Sequence, residues 1–271
     1  MRGPRWRTRT TYRSRLTVLP GFLVLWLVIP LVPLALWTAS SRWSGASRLP
    51  QEWGMRGWQE ALDAGLPAAL IRSCLLGAAV ALIATPLGAR AGRALGWRLL
   101  RRPALPSVVL LAPVVLAPFA VAMGLDVVIL RLGIPEEIAL VLVLSVFALP
   151  YTTFTMRATY LGLDPALEEQ ARVLGASSRQ ARHRVTLPAA TTGLAAATGL
   201  AFLVGWSDYA VTLLIGGGQI VTAPMLLGSS AAGSGNDALT ATLAIAASLP
   251  PLAALAAFTY AASRRSRAAR P

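Results

Sequence analysis

Residues 168–188, EEQARVLGASSRQARHRVTLP, form a polar, arginine-rich segment between two long apolar runs. Those runs, about Ile138 to Tyr160 before it and about Ala189 to Ile215 after it, each reach the roughly 20 residues that a helix needs to cross a bilayer. A hydrated loop therefore emerges here from a membrane-embedded body. Its local chemistry predicts order. Asp164 followed by Pro165 reads as an N-cap and an N1 proline. Residues 165–174 are good helix formers, with Glu168 and Glu169 in the first turns, where the helix dipole favours anions. Gly175 falls where a left-handed glycine stops a helix. Ser177 or Ser178 then caps a second short helix running to about Val185, and Pro188 marks the return to apolar sequence. The expectation is a compact knob of helix, glycine turn and short helix.

Outward from the loop, the chain of 271 residues is 55% hydrophobic with a mean hydropathy of +0.61. Apolar runs predict an all-α polytopic protein with six transmembrane helices. The first runs from about Leu16 to Ala39 and carries Pro20, Pro30 and Pro33. Six arginines precede it, as in a signal peptide, but the apolar run is too long for one and no clean cleavage site follows. It reads as a retained anchor. The others are about Pro67 to Ala89, Leu105 to Leu130 with Pro106, Pro113 and Pro118, the two beside the loop, and Ala238 to Ala262. Trp43, Trp53 and Trp58 between the first two suit a membrane interface.

The charges orient these spans. Formal net charge is +14, and all 25 basic residues are Arg. They cluster at 2–15, 90–102, 157–184 and 264–270, while Glu52, Glu60, Asp63, Glu136, Glu137 and Asp237 fall in the alternate loops. This positive-inside pattern places both termini and the 168–188 loop in the cytoplasm and argues against nucleic-acid binding. The absence of Lys excludes a Walker A phosphate loop and a Schiff-base lysine. His183 is the only His and Cys74 the only Cys, which excludes intrachain disulfides and argues against His/Cys zinc sites and Cys–His nucleophiles. No cofactor or metal is expected.

The pattern E-x-A-x-x-x-G-x(9)-[IV]-x-L-P, carried by Glu169, Ala171, Gly175, Val185, Leu187 and Pro188, resembles the cytoplasmic EAA loop of binding-protein-dependent ABC importer permeases. Gln170 stands where that family usually has Ala. The resemblance implies the type I importer permease fold over residues 66–260. It makes 1–15 a basic tail, 16–65 an accessory anchor and outer loop, 164–188 the docking loop, and 261–271 a second basic tail. It implies docking on a separate ATPase through Glu168, Glu169, Ala171, Gly175, Ala176, Ser177, Arg179, Val185, Leu187 and Pro188, with about 175–184 as the coupling helix. The further implied partners are a second permease, alike or homologous, and an extracytoplasmic solute-binding protein. The setting is the bacterial cytoplasmic membrane, and no catalytic residue is expected in this chain.

Within the spans, Asp208 is the most notable charge, since an intramembrane acid costs about 2.5–3.5 kcal/mol on insertion scales and wants a partner or a wet cavity. Ser207 and Tyr209 are its neighbours, and two readings stay open, a path-lining residue or a structural acid. The stretch F-L-x-x-W-S-D-Y, together with T-A-P-M-L-L, resembles the spermidine/putrescine-type branch, with iron, thiamine, sulfate and molybdate branches behind it. Arg72 and Asp126 near span ends either pair or reach the interface. Gly88, Gly92 and Gly96 stand at a spacing that permits close helix approach. Two rival classes remain, an ion-coupled secondary transporter and a lipid-phosphate enzyme. The first lacks a visible internal repeat, and the second is poorly served by one histidine inside the loop.

Overall fold

The structure, a computed structural model, describes residues 21, 25–26, 28–44, 47–233, 235 and 237–268. The expected basic tail 1–15 and the first part of the expected span 16–39 lie outside the described residues. Of that span, residues 21, 25–26 and 28–39 are described, with helix α1 over Leu31–Thr38. A small antiparallel hairpin follows, β1 (Ser40–Arg42) with β2 (Glu52–Trp53), pairing Ser40 with Trp53 and Arg42 with Glu52. The all-α expectation is corrected to this extent. A short helix α2 (Arg56–Asp63) leads to α3, Leu66–Gly96.

Two of the expected spans are broken. Residues 105–130 form α4 (Ala104–Val115) and α5 (Pro118–Leu132), which meet at 101°. The cause is local, because Pro118 crowds the residue before it out of helical geometry. Ala117 accordingly has ψ of 120°, and Leu116 before it is extended too, with ψ of 148°. After α6, Glu136–Leu161, the loop carries α7 (Ala166–Val173), α8 (Ser178–Ala181), a π turn at Arg182–Thr186 and α9 (Leu187–Ala189). The fifth expected span then begins at Thr191, bent by 75° from the helical segment before it. It is itself interrupted, with α10 (Thr191–Ser207) ending at Asp208 and α11 (Ala210–Ile215) starting afresh. Helices α12 (Ala223–Ala232) and α13 (Asp237–Ala268) complete the chain. Helix thus continues through most of the stretch expected as a tail from 261. Among the described residues, α3, α6 and the Asp237–Phe258 part of α13 are long and apolar enough to cross a membrane, or up to five spans if each bent pair counts as one.

The centre of the bundle is α3 packed parallel to α6, with α10 against both. The glycine spacing on α3 explains the closeness. A Cβ on Gly92 would lie 2.6 Å from the Met156 Cβ, and one on Gly96 would lie 2.8 Å from the Tyr160 Cβ. At Gly88 it would collide with Thr152. The run 88, 92, 96 is therefore the face that admits α6, and helix α3 extends through all three glycines instead of ending near Ala89, before the later two. Around it, Val80, Ala84, Leu140, Leu144, Ala148, Ala201 and Val211 form the main core. The buried Thr152 hydroxyl shares its hydrogen between the Leu149 carbonyl of its own helix at 3.0 Å and the Ala84 carbonyl across the helix pair at 3.1 Å. Such bonds between neighbours suit helices that gain little from hydrophobic exclusion in lipid.

Candidate functional site

The loop has the order that its sequence predicts. The Asp164 carboxylate accepts from the Ala166 N–H at 2.9 Å and opens α7. Gly175 has φ +91°. Its N–H donates to the Arg172 carbonyl and the Ala176 N–H donates to Ala171, both at 3.0 Å. This pair of bonds is the Schellman motif, which needs a left-handed residue at this position. Ser177, not Ser178, then caps α8. Its hydroxyl accepts from the Gln180 N–H, while the Gln180 side chain accepts from the Ser177 N–H at 2.8 Å, closing a reciprocal capping box. The second helix does not stop near Val185, and Pro188 does not mark the turn. Helix runs on through the π segment to Ala189, and the chain bends at Ala190.

The two adjacent acids part company. Glu169 is exposed and, with Arg172, Val173, Ala176, Ser177 and Ser178, borders a shallow hollow of about 560 Å³. Glu168 turns inward, its side chain only 12% exposed. Its carboxylate takes two bonds from one Arg93 guanidinium nitrogen, at 2.8 and 2.9 Å, and one from the Thr186 hydroxyl at 2.8 Å. Arg93 lies over the Trp97 ring, 4.6 Å from its centroid. Trp97 in turn donates to the Leu163 carbonyl at 3.2 Å and meets Tyr160 edge-on. Gly175, Ser177, Arg179 and Pro188 are exposed, Ala171, Ala176, Val185 and Leu187 are half-buried, and His183 faces out. Val173 and Leu174, each 87% exposed, stand at the tip just before the glycine. Sequence reasoning missed those two, because in a periodic pattern they read as ordinary helix residues. It also missed Arg93 and Thr186, which lie 75 and 18 residues from Glu168.

Both helix breaks open onto one cavity of about 450 Å³. Pro113, Val114 and Pro118 come from the α4–α5 bend, Leu144, Phe147 and Tyr151 from α6, and Val204 and Ser207–Val211 from the α10–α11 break. Asp208 sits at that break with its backbone extended (ψ 130°) and its side chain half-buried. Its partner is neither Ser207 nor Tyr209. The Oδ2 atom accepts from the Thr212 N–H at 2.8 Å and from the Thr212 hydroxyl at 3.0 Å, while Ser207 donates to the Leu203 carbonyl. An acid thus starts α11 as a capping residue does, and it also borders the cavity. Arg72 and Asp126 make no ion pair with each other among the described residues. Arg72 instead borders a second hollow of about 470 Å³ with Glu137 and Gln219.

Comparison with known proteins accords with this arrangement. Residues 85–268, more than half of the chain, match the family described as binding-protein-dependent transport system inner membrane component. The trehalose transport system permease protein SugB of Mycobacterium tuberculosis (strain CDC 1551 / Oshkosh) is 31% identical over 191 residues, a match spanning 66% of either chain, just under two thirds. The solved structure of a bacterial ABC transporter involved in the import of the acidic polysaccharide alginate contains a chain of the same fold. It has a TM-score of 0.62 and 16% identity, over 96% of this chain and 99% of that one. Permeases of the matched family are transport subunits, not enzymes, and work with an ATPase, a second permease and a solute-binding protein. By that match, the chain belongs to the inner membrane components of binding-protein-dependent transport systems.

Proposed function

We propose that this chain forms half of the translocation pathway of an ATP-driven importer and receives its drive through the loop 164–188. The observation that carries the reading is the loop's build, with the apolar tip Val173–Leu174 standing exposed on a Schellman turn above a hydrogen-bonded base. Exposed apolar residues beside a structured turn in a polar loop suit a protein partner. The ATP site lies in another chain, since this one has no Lys for a phosphate loop. Docking residues are those of the EAA pattern, chiefly Glu169, Ala171, Gly175 and the 176–179 segment, with Val173 and Leu174 added. Six spans are proposed, five from the described helices (α3, the bent pair α4–α5, α6, the stretch from Thr191 onward, and α13) and one from residues 16–39, with both termini cytoplasmic.

For the solute, a sugar is favoured over the polyamine expected from F-L-x-x-W-S-D-Y. The similar proteins are named for trehalose and for an acidic polysaccharide. The cavity at the two helix breaks offers Tyr151, Tyr209 and Ser207 beside apolar walls, a mixture suited to a hydroxylated ring, and Asp208 already serves Thr212. Broken helices meeting at one cavity are also how many transporters build a solute site. The test is uptake by the reconstituted importer of radiolabelled trehalose and of spermidine. The reading predicts ATP-dependent uptake of the sugar alone. Spermidine uptake without sugar uptake would restore the polyamine assignment.

A further inference from the structure

The geometry points to Glu168 as a positioning residue that locks the docking loop to the spans, so that the loop moves with α3 and α6 as one body. This inference rests on the docking role proposed above. One carboxylate joins three segments remote in sequence, the last turn of α3 through Arg93, the loop's outgoing helix through its own backbone, and the returning π segment through Thr186. Trp97 extends the tie to the end of α6 through the Leu163 carbonyl and the Tyr160 ring. Beneath it, Met156, Tyr160, Ala190 and Ala197 form a separate small core.

The Arg93–Glu168 pair differs in kind from the other ion pairs. Among the described residues, the other ion pairs, Arg42–Glu52 and Arg56–Glu60, involve far more exposed arginines and join neighbouring segments. Exposed pairs of that sort contribute little. Arg93 and Glu168 are 24% and 12% exposed; Glu168 also accepts from the Thr186 hydroxyl, and Arg93 lies over the Trp97 ring. A carboxylate that faces inward cannot be a docking contact, whereas Glu169 beside it can. Without the tie, the base of the loop is held only by its two chain ends and by packing. A thrust on the tip would then be absorbed at Gly162 and Ala190 and not passed into the bundle.

The test uses the complete importer in proteoliposomes, in a Cys74→Ser background, with Glu168→Gln as the variant. Spin labels at Leu87→Cys on α3 and Leu167→Cys on the loop, both exposed, report whether loop and span move together. With Glu168 intact, the label distance should be single, narrow and the same with and without ATP. In Glu168→Gln the ATPase should co-purify as in the parent, the distance should broaden, and radiolabelled trehalose taken up per ATP hydrolysed should fall about tenfold. An unchanged distance or an unchanged uptake ratio overturns the inference while leaving docking intact. Loss of ATPase co-purification also overturns it, by making Glu168 a docking contact. Should Glu168→Gln fail to accumulate, Thr186→Val keeps both charges and should lower the ratio about threefold in the same direction; no change there is equally fatal. If the parent itself takes up no trehalose, the sugar reading is what fails, and the distance measurement still decides this one.

Discussion

Gly175 is the residue on which the loop turns. At φ +91° it occupies backbone space that proline, fixed near −65°, cannot enter, and its N–H is engaged with Arg172. Nothing lies within 4 Å of where its Cβ would be, so the demand is conformational and not steric. Gly175→Pro should therefore reach the membrane in parental amounts yet lose ATPase co-purification at least about tenfold, the effect of about 1.4 kcal/mol or more on binding. Pull-down from solubilised membranes measures this, and parental co-purification would remove the loop from the interface. Asp208 offers a second test at the same scale. Thr212, fully buried, gives both its N–H and its hydroxyl to that carboxylate. Asp208→Leu leaves the Thr212 N–H unpaired and its hydroxyl with only the longer bond to the Asp208 carbonyl, at 3.4 Å; it should cost about 1–3 kcal/mol, seen as a lower unfolding temperature in detergent. Asp208→Asn keeps an acceptor oxygen and should keep most of that stability. With a sugar as solute it should also keep uptake within about threefold, since less than 1 kcal/mol is then at stake.

At the scale of elements, the close pairing of α3 with α6 is the feature most exposed to substitution. Gly92→Leu would drive a side chain into Met156 and the Thr153 carbonyl, and overpacking of this kind costs about 1–3 kcal/mol. The expected result is a depressed unfolding temperature and weaker retention of the folded subunit in detergent, with Gly124→Leu, where no atom lies within 4 Å, as the neutral control. The long helices α3, α6 and α13 were legible, because apolar runs between arginine clusters delimit them, whereas the short α2 and α12 were not. The helix breaks were less legible. Apolar sequence continues without interruption past Leu116 and Ala117, and only Pro118 signalled the bend, which hydropathy reads as a mild kink. Asp208 read as a charge within a helix because its role as a helix starter depends on Thr212 four residues on. The turn at Gly175 was fully legible, since its cause is local. The tie from Arg93 to Glu168 was not, because pairing across 75 residues depends on the α3–α6 contact that brings them together.

For the whole molecule, the arrangement is a bundle with a projecting polar knob at the end where α3 and α6 finish and a cavity at the broken helices. A chain built this way hydrolyses nothing alone. Purified without partners it should show no ATPase activity above a protein-free control, and addition of its cognate ATPase should restore hydrolysis to the complex. What drives it, on the reading proposed above, is a separate nucleotide-hydrolysing protein that grips the loop tip. Since Cys74 is the one cysteine, a Cys74→Ser, Leu174→Cys variant carries a single thiol at that tip, ready for a photoactivatable benzophenone. Illumination of native membranes should yield an adduct of this chain with the ATPase, identified by its peptides and lost with Gly175→Pro. Adducts only with lipid, or only within this chain, would mean that no ATPase seats on the tip.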